Sequence, residues 1–251
     1  VRERYGPWAL IAGASEGIGA AFARALAARG LNLVLVARRP EPLAALAAAL
    51  PVETMTIEAD LATEDGIAAV RRVPHEVGLV VANAAYSSIG RFVEADPARS
   101  LRALDLNCRA VLLLAHHFLP PMVARGRGGL VIMSSLAGQQ GSPGIATYAA
   151  TKAFGTILAE GLWSELRPRG VDVLACVAGA VSTPGLAQAK ATRAPGTRTP
   201  DQVAEAALAA LGRGPRVVPG PLMRVSNAVM SRLLPRRTAI GVIARASRDL
   251  T

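Results

Sequence analysis

The chain is short of cysteine, aromatic residues, histidine and lysine, and each shortage narrows what it can be. Two cysteines occur in 251 residues. Cys108 and Cys176 both lie in apolar stretches, so buried free thiols in a reducing, cytoplasmic setting are expected rather than a disulfide-stapled scaffold. Aromatics make up 4% of the residues, and none stands among the arginines from Arg213 onward. The stacking platform of a single-stranded nucleic-acid binder is therefore missing, and nucleic acid is not an expected partner. Of the three histidines, His116 and His117 are adjacent. They cannot share one helix face, acids near them are few, and no metal site is expected. His75 reads as a surface residue. No apolar run reaches the length of a membrane span, and the strongest candidate, Ala110 to Ala115, stops at His116-His117. No basic-then-apolar leader opens the chain; it begins at Val1 rather than Met, which leaves a trimmed segment open.

What is present is an apolar, Ala/Leu/Val-rich chain with 51% hydrophobic residues. That balance suits a buried Val-rich sheet covered by helices. Strand signals over residues 8–12, 31–36, 53–58, 79–82, 130–133, 171–177 and 216–218 alternate with helix signals over 18–29, 41–50, 63–72, 100–124, 148–167 and 201–211. Pro120-Pro121 is expected to interrupt the end of the 100–124 helix. The alternation predicts an α/β fold: one Rossmann-type doubly wound domain over residues 1–220, with a seven-stranded parallel sheet flanked by helices. Residues 184–200, rich in Ala, Gly, Thr and Pro, read as a mobile loop. Residues 221–251 read as a basic C-terminal extension. In it Leu222, Val225, Val229 and Leu233 recur at helical spacing opposite Arg224, Ser226 and Arg232. Packing on the same domain or on an oligomer partner is expected for this amphipathic helix, with peripheral membrane contact the less favoured reading. The net charge is +10, and from Arg213 onward there are eight arginines and one acid, Asp249. The plain reading of such a tail is a solvated helix face.

Two patterns carry chemistry. Gly13, Ser15, Glu16, Gly17, Ile18 and Gly19 follow the first strand and open a helix. Glycines there let the backbone approach a pyrophosphate, whose charge the helix N-terminus favours. The second strand ends in Ala37-Arg38-Arg39, where an NAD-binding chain usually carries an acid for the ribose. Two guanidiniums suit a 2′-phosphate, so NADP(H) is expected over NAD(H). The second pattern is Tyr148-Ala149-Ala150-Thr151-Lys152, with Ser135 thirteen residues before the tyrosine. Residues four apart share a helix face, which sets a phenol beside an ammonium. Free tyrosine titrates near pH ~10, and lowering it by about three units requires roughly 4 kcal/mol. One ammonium at about 4 Å, at an effective dielectric of ~20, supplies about that much. The expectation is a tyrosine whose pKa the lysine lowers toward neutrality. Only two of the 28 basic side chains are lysine, Lys152 and Lys190, so the position that wants a compact ammonium has one.

With these motifs in place, the stretch from about Trp8 to Val218 resembles the short-chain dehydrogenase/reductase family. Its glycine pattern is similar to the family's, with Ala12 in place of Thr. Asp60-Leu61 resembles the family's adenine-contacting pair, and Asn83-Ala84 resembles part of its Asn-Asn-Ala-Gly motif. Gly179, Val181 and Thr183 resemble the segment near the nicotinamide, with Ala178 replacing Pro. The resemblance implies an Asn107–Ser135–Tyr148–Lys152 tetrad. Tyr148 would be the acid/base, Lys152 would also bind the nicotinamide ribose, Ser135 would donate to the substrate oxygen, and Asn107 would hold a water. It also implies a homodimer or homotetramer formed through the helices near residues 100–118 and 148–167. The Arg-containing strand end and basic tail resemble the hydroxysteroid dehydrogenase-like subgroup. Tyr86, Ser87, Ile89, Leu136, Gln139, Gln140, Ala180 and the loop over residues 184–200 are expected to line a mostly apolar substrate pocket. A steroid-, acyl- or polyketide-like ketone, aldehyde or secondary alcohol is the expected substrate. An NADP(H)-sensing regulator or a membrane-surface protein acting through the basic segment is the alternative.

Overall fold

The structure is a computed structural model that describes residues 1–183 and 196–246. Its seven strands are β1 (Trp8–Ala12), β2 (Asn32–Ala37), β3 (Thr54–Glu58), β4 (Val77–Ala82), β5 (Gly128–Ser135), β6 (Val171–Ala178) and β7 (Arg216–Val217). They form one parallel sheet in the order β3-β2-β1-β4-β5-β6-β7. Both faces are covered. Every residue of β1, β4 and β6 is buried, which is why these strands read as unbroken apolar runs rather than alternating ones. The sheet divides the core in two, one side centred on Leu10, Val34, Val80, Ile132 and Val173 and the other on Ile11, Phe22, Leu33, Leu79 and Leu174.

The helices are α1 (Arg2–Tyr5), α2 (Gly17–Ala27), α3 (Pro40–Ala48), α4 (Glu64–Arg71), α5 (Pro97–Leu104), α6 (Ala110–Arg125), α7 (Ala146–Leu166), α8 (Pro200–Ala210), α9 (Pro221–Ala228) and α10 (Arg236–Ala246). Local chemistry sets several of their ends. Thr63 caps α4 through the Gly66 amide, and Thr199 with Gln202 forms a reciprocal capping box on α8, with Pro200 in its first turn. α1 is held to the sheet by Tyr5, whose hydroxyl donates to Asp172 at 2.7 Å, and by the Arg4–Asp172 ion pair at 2.6 Å. The order of strands reverses between β1 and β4. Ala12 is level with Val36 on one side and Ala82 on the other, so the crevice expected of an open parallel sheet lies just past these residues.

Three sequence expectations change and a fourth is refined. The single helix over residues 100–124 is two helices joined by a π-helical turn, Asp105–Arg109, closed by the Ala110 amide on the Asp105 carbonyl. Pro120-Pro121 does not interrupt α6. Buried Leu119 and Met122 hold that turn to the core, and the helix ends at Gly126 in the left-handed region (φ 68). The amphipathic helix is present over residues 221–233, but its last turn is π-helical and the extension breaks after it. α9 passes into a second π turn, Val229–Leu233; Leu234 is extended because Pro235 follows it, and α10 then begins. Finally, His75 is not a free surface residue but stacks on Trp8 with ring centroids 3.8 Å apart. Of the expected 184–200 loop, residues 184–195 lie outside the described residues. Among the described residues no helix is long and apolar enough to cross a membrane.

Candidate active site

The crevice past β1 and β4 opens into a cleft of about 480 Å³. Gly13, Ser15, Glu16, Gly17, Ile18, Arg38, Arg39, Asp60, Leu61, Asn83, Ala84 and Thr183 line it, together with Ala85 and Leu106. Gly13 (φ 78) and Gly17 (φ 56) lie in the left-handed region, where other residues are strained. A Cβ on Gly13 would also sit 2.8 Å from the Ala84 Cα, and one on Gly19 would run into the Gly13 carbonyl. The Asn83 side-chain amide donates to that same carbonyl at 2.9 Å, so β4 pins the glycine turn in place. The motif alone did not reveal this clamp; the signal was the one polar residue at the end of an apolar strand.

The charges in the cleft are unevenly committed. Burial pushes the Asp60 carboxyl up, but hydrogen bonds from Arg102 and the Ala62 amide, with the charges of Arg102 and Arg38, outweigh it and hold the group below its ordinary range. The Arg102–Asp60 pair is 2.6 Å long. Arg39 pairs with Glu16 at 2.7 Å. The two arginines expected to act together are therefore differently placed.

The tetrad residues lie further along the same edge of the sheet. Ser135 ends β5 and caps the short 3-10 turn Leu136–Gln139 through the Ala137 amide. Its neighbour Ser134 is buried, donates to the Lys152 carbonyl at 2.7 Å and meets the Thr156 hydroxyl; it ties β5 to α7. Tyr148 and Lys152 stand one turn apart on α7, the Lys152 Nζ 5.6 Å from the centre of the phenol ring. Lys152 is 6% exposed and donates to the Met133 carbonyl at 2.9 Å. Asn107 sits in the π turn between α5 and α6. Its side-chain amide makes three hydrogen bonds: it accepts from the Tyr86 amide at 2.8 Å and donates to the Tyr86 carbonyl and the Thr151 hydroxyl, each at 2.9 Å. Asn107 thus clamps the segment after β4 to the helix that carries Tyr148.

The electrostatics differ from the sequence expectation. The expected lowering of Tyr148 by Lys152 is not what the fold produces. Burial pushes the phenol above its ordinary value, and the hydroxyls of Ser135 and Ser87 pull it back only in part. Lys152 is displaced too: burial brings its ammonium down to about 8, against a smaller opposing influence of the Cys108 thiol. Counting charges along the sequence omitted desolvation, which depends on tertiary packing. Cys176 is buried as expected, but Cys108 is only partly so.

Of the expected pocket residues, Ser87 reaches the phenol. Gln140 is buried and turned toward the Leu136 carbonyl. Tyr86 faces α5, where its hydroxyl accepts from Arg99. The C-terminal extension adds residues that sequence reasoning did not place here. Met223 on α9 and Leu136 both approach Gly179, Ile240 on α10 approaches Gly141, and Arg236 donates to the Gln139 carbonyl at 2.9 Å. Gly179, Val181 and Thr183 follow β6, and Val181 bridges to Arg198. Among the described residues no cluster could hold a metal ion.

Comparison with known proteins places this geometry in a group. A family model for short chain dehydrogenases matches residues 7–194. A 7beta-hydroxysteroid dehydrogenase of Clostridium sardiniense is 35% identical over 181 residues, 69% of each chain. A solved structure from work on 7beta-hydroxysteroid dehydrogenase stereoselectivity superposes with a TM-score of 0.89 at 28% identity, covering 96% of this chain and 98% of the other. A short-chain dehydrogenase from Sphingobium yanoikuyae, solved in complex with NADPH, gives a TM-score of 0.78 at 33% identity over 91% of this chain and 97% of that one.

Proposed function

The chain belongs to the short-chain dehydrogenase/reductase family, an enzyme class that interconverts alcohols and carbonyls, and we propose that it is an NADP(H)-dependent carbonyl reductase or alcohol dehydrogenase for a fairly apolar small molecule. The observation that carries this reading is the meeting of Ser135, Tyr148 and buried Lys152, in a fold whose glycine-walled cleft opens past the ends of β1 and β4.

The residues fit a nicotinamide dinucleotide. Gly13 and Gly19 pack so closely on Ala84, Asn83 and each other that neither has room for a Cβ, which keeps the turn tight at the start of α2, where a pyrophosphate would bind. Asp60 would take the adenine end and Arg38 a 2′-phosphate, as the NADPH held by the Sphingobium relative suggests. When bound, the nicotinamide supplies or accepts hydride. The protein's own part is proton transfer and positioning. In reduction the Tyr148 hydroxyl gives its proton to the carbonyl oxygen; in oxidation it takes one from the alcohol. A phenol raised by burial is protonated at neutral pH, the state that reduction needs. The Ser135 hydroxyl donates to the same oxygen as charge builds on it. Lys152, cationic below about 8, stabilises the phenolate left behind. The Asn107 Oδ1 accepts the Tyr86 amide and keeps a second lone pair for the water it is expected to hold.

The substrate side supports an apolar ligand: Leu136 and Met223 flank Gly179, and the Clostridium relative acts on a hydroxysteroid. Self-association has support in a separate apolar groove of about 240 Å³ between α6 and α7, lined by Leu112, Ala115, Leu119, Leu158 and Leu162. A panel of ketones with NADPH, followed at the nicotinamide absorbance, tests the reading. Tyr148→Phe should lower turnover by about 10²- to 10⁴-fold while NADPH still binds; unchanged turnover would refute the mechanism.

A further inference from the structure

The ion pair at the mouth of the cofactor cleft has a consequence for dinucleotide choice, given the NADP(H) reading above. Glu16 precedes α2 as its N-cap, yet its side chain makes no capping bond. Instead its carboxylate reaches across the cleft to the Arg39 guanidinium at 2.7 Å, with both side chains about half exposed (48% and 53%). The other acid lining the cleft, Asp60, is taken up by Arg102. Glu16 is therefore an acid at the phosphate-binding end whose cationic partner is one of the two guanidiniums that a 2′-phosphate would use.

We propose that Glu16 is a specificity-determining residue that restrains the enzyme's preference for NADP(H) by competing with the 2′-phosphate for Arg39. Arg38 is then the primary phosphate ligand, since its charge falls on Asp60, which Arg102 already neutralises. Arg39 reaches the phosphate only by leaving or sharing Glu16, and an unpaired Glu16 repels the dianion. With NAD(H) nothing calls Arg39 away, so the Glu16–Arg39 pair persists. The Glu16–Arg39 pair thus lets one cleft accept both dinucleotides, with NADP(H) ahead by less than two arginines would give.

The test is calorimetric titration of the protein with NADPH, NADH, adenosine 2′,5′-bisphosphate and 5′-AMP, in wild type, Glu16→Gln, Glu16→Ala and Arg38→Gln. Glu16 caps nothing, so both Glu16 variants should keep their folded circular dichroism. Both should bind NADPH and the 2′,5′-bisphosphate about two- to fivefold more tightly, the range of an exposed ion pair, with NADH and 5′-AMP changed by much less. Raising salt should shrink the gain. Equal tightening of NADPH and NADH would overturn the proposal, because Glu16 would then act on the pyrophosphate alone. No change, or weaker NADPH binding, would overturn it too. The Arg38→Gln arm separates this from the underlying reading: if it leaves NADPH preference intact, the 2′-phosphate site itself is misassigned, whatever Glu16 does.

Discussion

At the β1–β4 crevice the site is held by main chain, whereas beyond β5 it is held by buried side chains. Gly13 and Gly17 adopt positive φ, and Asn83 fastens the Gly13 carbonyl; what this wall offers a ligand is amide groups and a helix start. On the other wall, Ser134, Thr156, Met133 and Thr151 form a polar seam between β5 and α7 that orients Lys152 and the Tyr148 turn. Backbone geometry makes a shape that one class of ligand fits, while burial tunes the protons of a few groups. The first wall tolerates no added Cβ; the second tolerates no change of charge.

Lys152→Met tests the second wall and has the largest expected effect. Turnover should fall by about 10²- to 10⁴-fold, with the fold intact by circular dichroism. A loss of only a few-fold would mean that the phenol works without the ammonium and would break the contrast. The same variant carries a stability signature. Folding lowers the Lys152 pKa to about 8, so from there up to the ordinary lysine value of ~10.4 the unfolded chain holds the extra proton. Wild-type stability should therefore gain a rising contribution with pH across that window, and denaturant titrations of Lys152→Met should lack it.

Gly13→Ala tests the first wall. Strain at positive φ and the approach to Ala84 should cost about 1–3 kcal/mol, read as a lower melting temperature together with weaker dinucleotide binding. Normal binding would show that the turn is not a tight cradle. The smallest effect belongs to Met223→Ala. Trimming the side chain that lies against Gly179 should change kcat/KM about 10-fold between bulky and small ketones while NADPH affinity holds. Equal changes for all ketones would place Met223 outside the substrate wall.

Much of this was legible in the sequence, for physical reasons. Strands buried on both faces leave unbroken apolar runs, and the strand–glycine–helix pattern at residues 8–19 is local. Tyr148 and Lys152 share one helix, so their spacing suffices. The π turn holding Asn107 was invisible because an i→i+5 bond leaves no mark on helical periodicity. The Asn83–Gly13 clamp and the Glu16–Arg39 pair join residues distant in sequence or on different elements. The raised phenol of Tyr148 reflects the desolvation of its own surroundings, which spacing does not encode.

The central claim is that burial holds Lys152 in a titration range near neutrality beside the Tyr148 ring. The chain has two lysines, so a 13Cε-lysine NMR titration has few signals to follow, and the resonance missing in Lys152→Arg assigns Lys152. The account predicts a midpoint of about 8 for that resonance; a midpoint at the ordinary lysine value would contradict it.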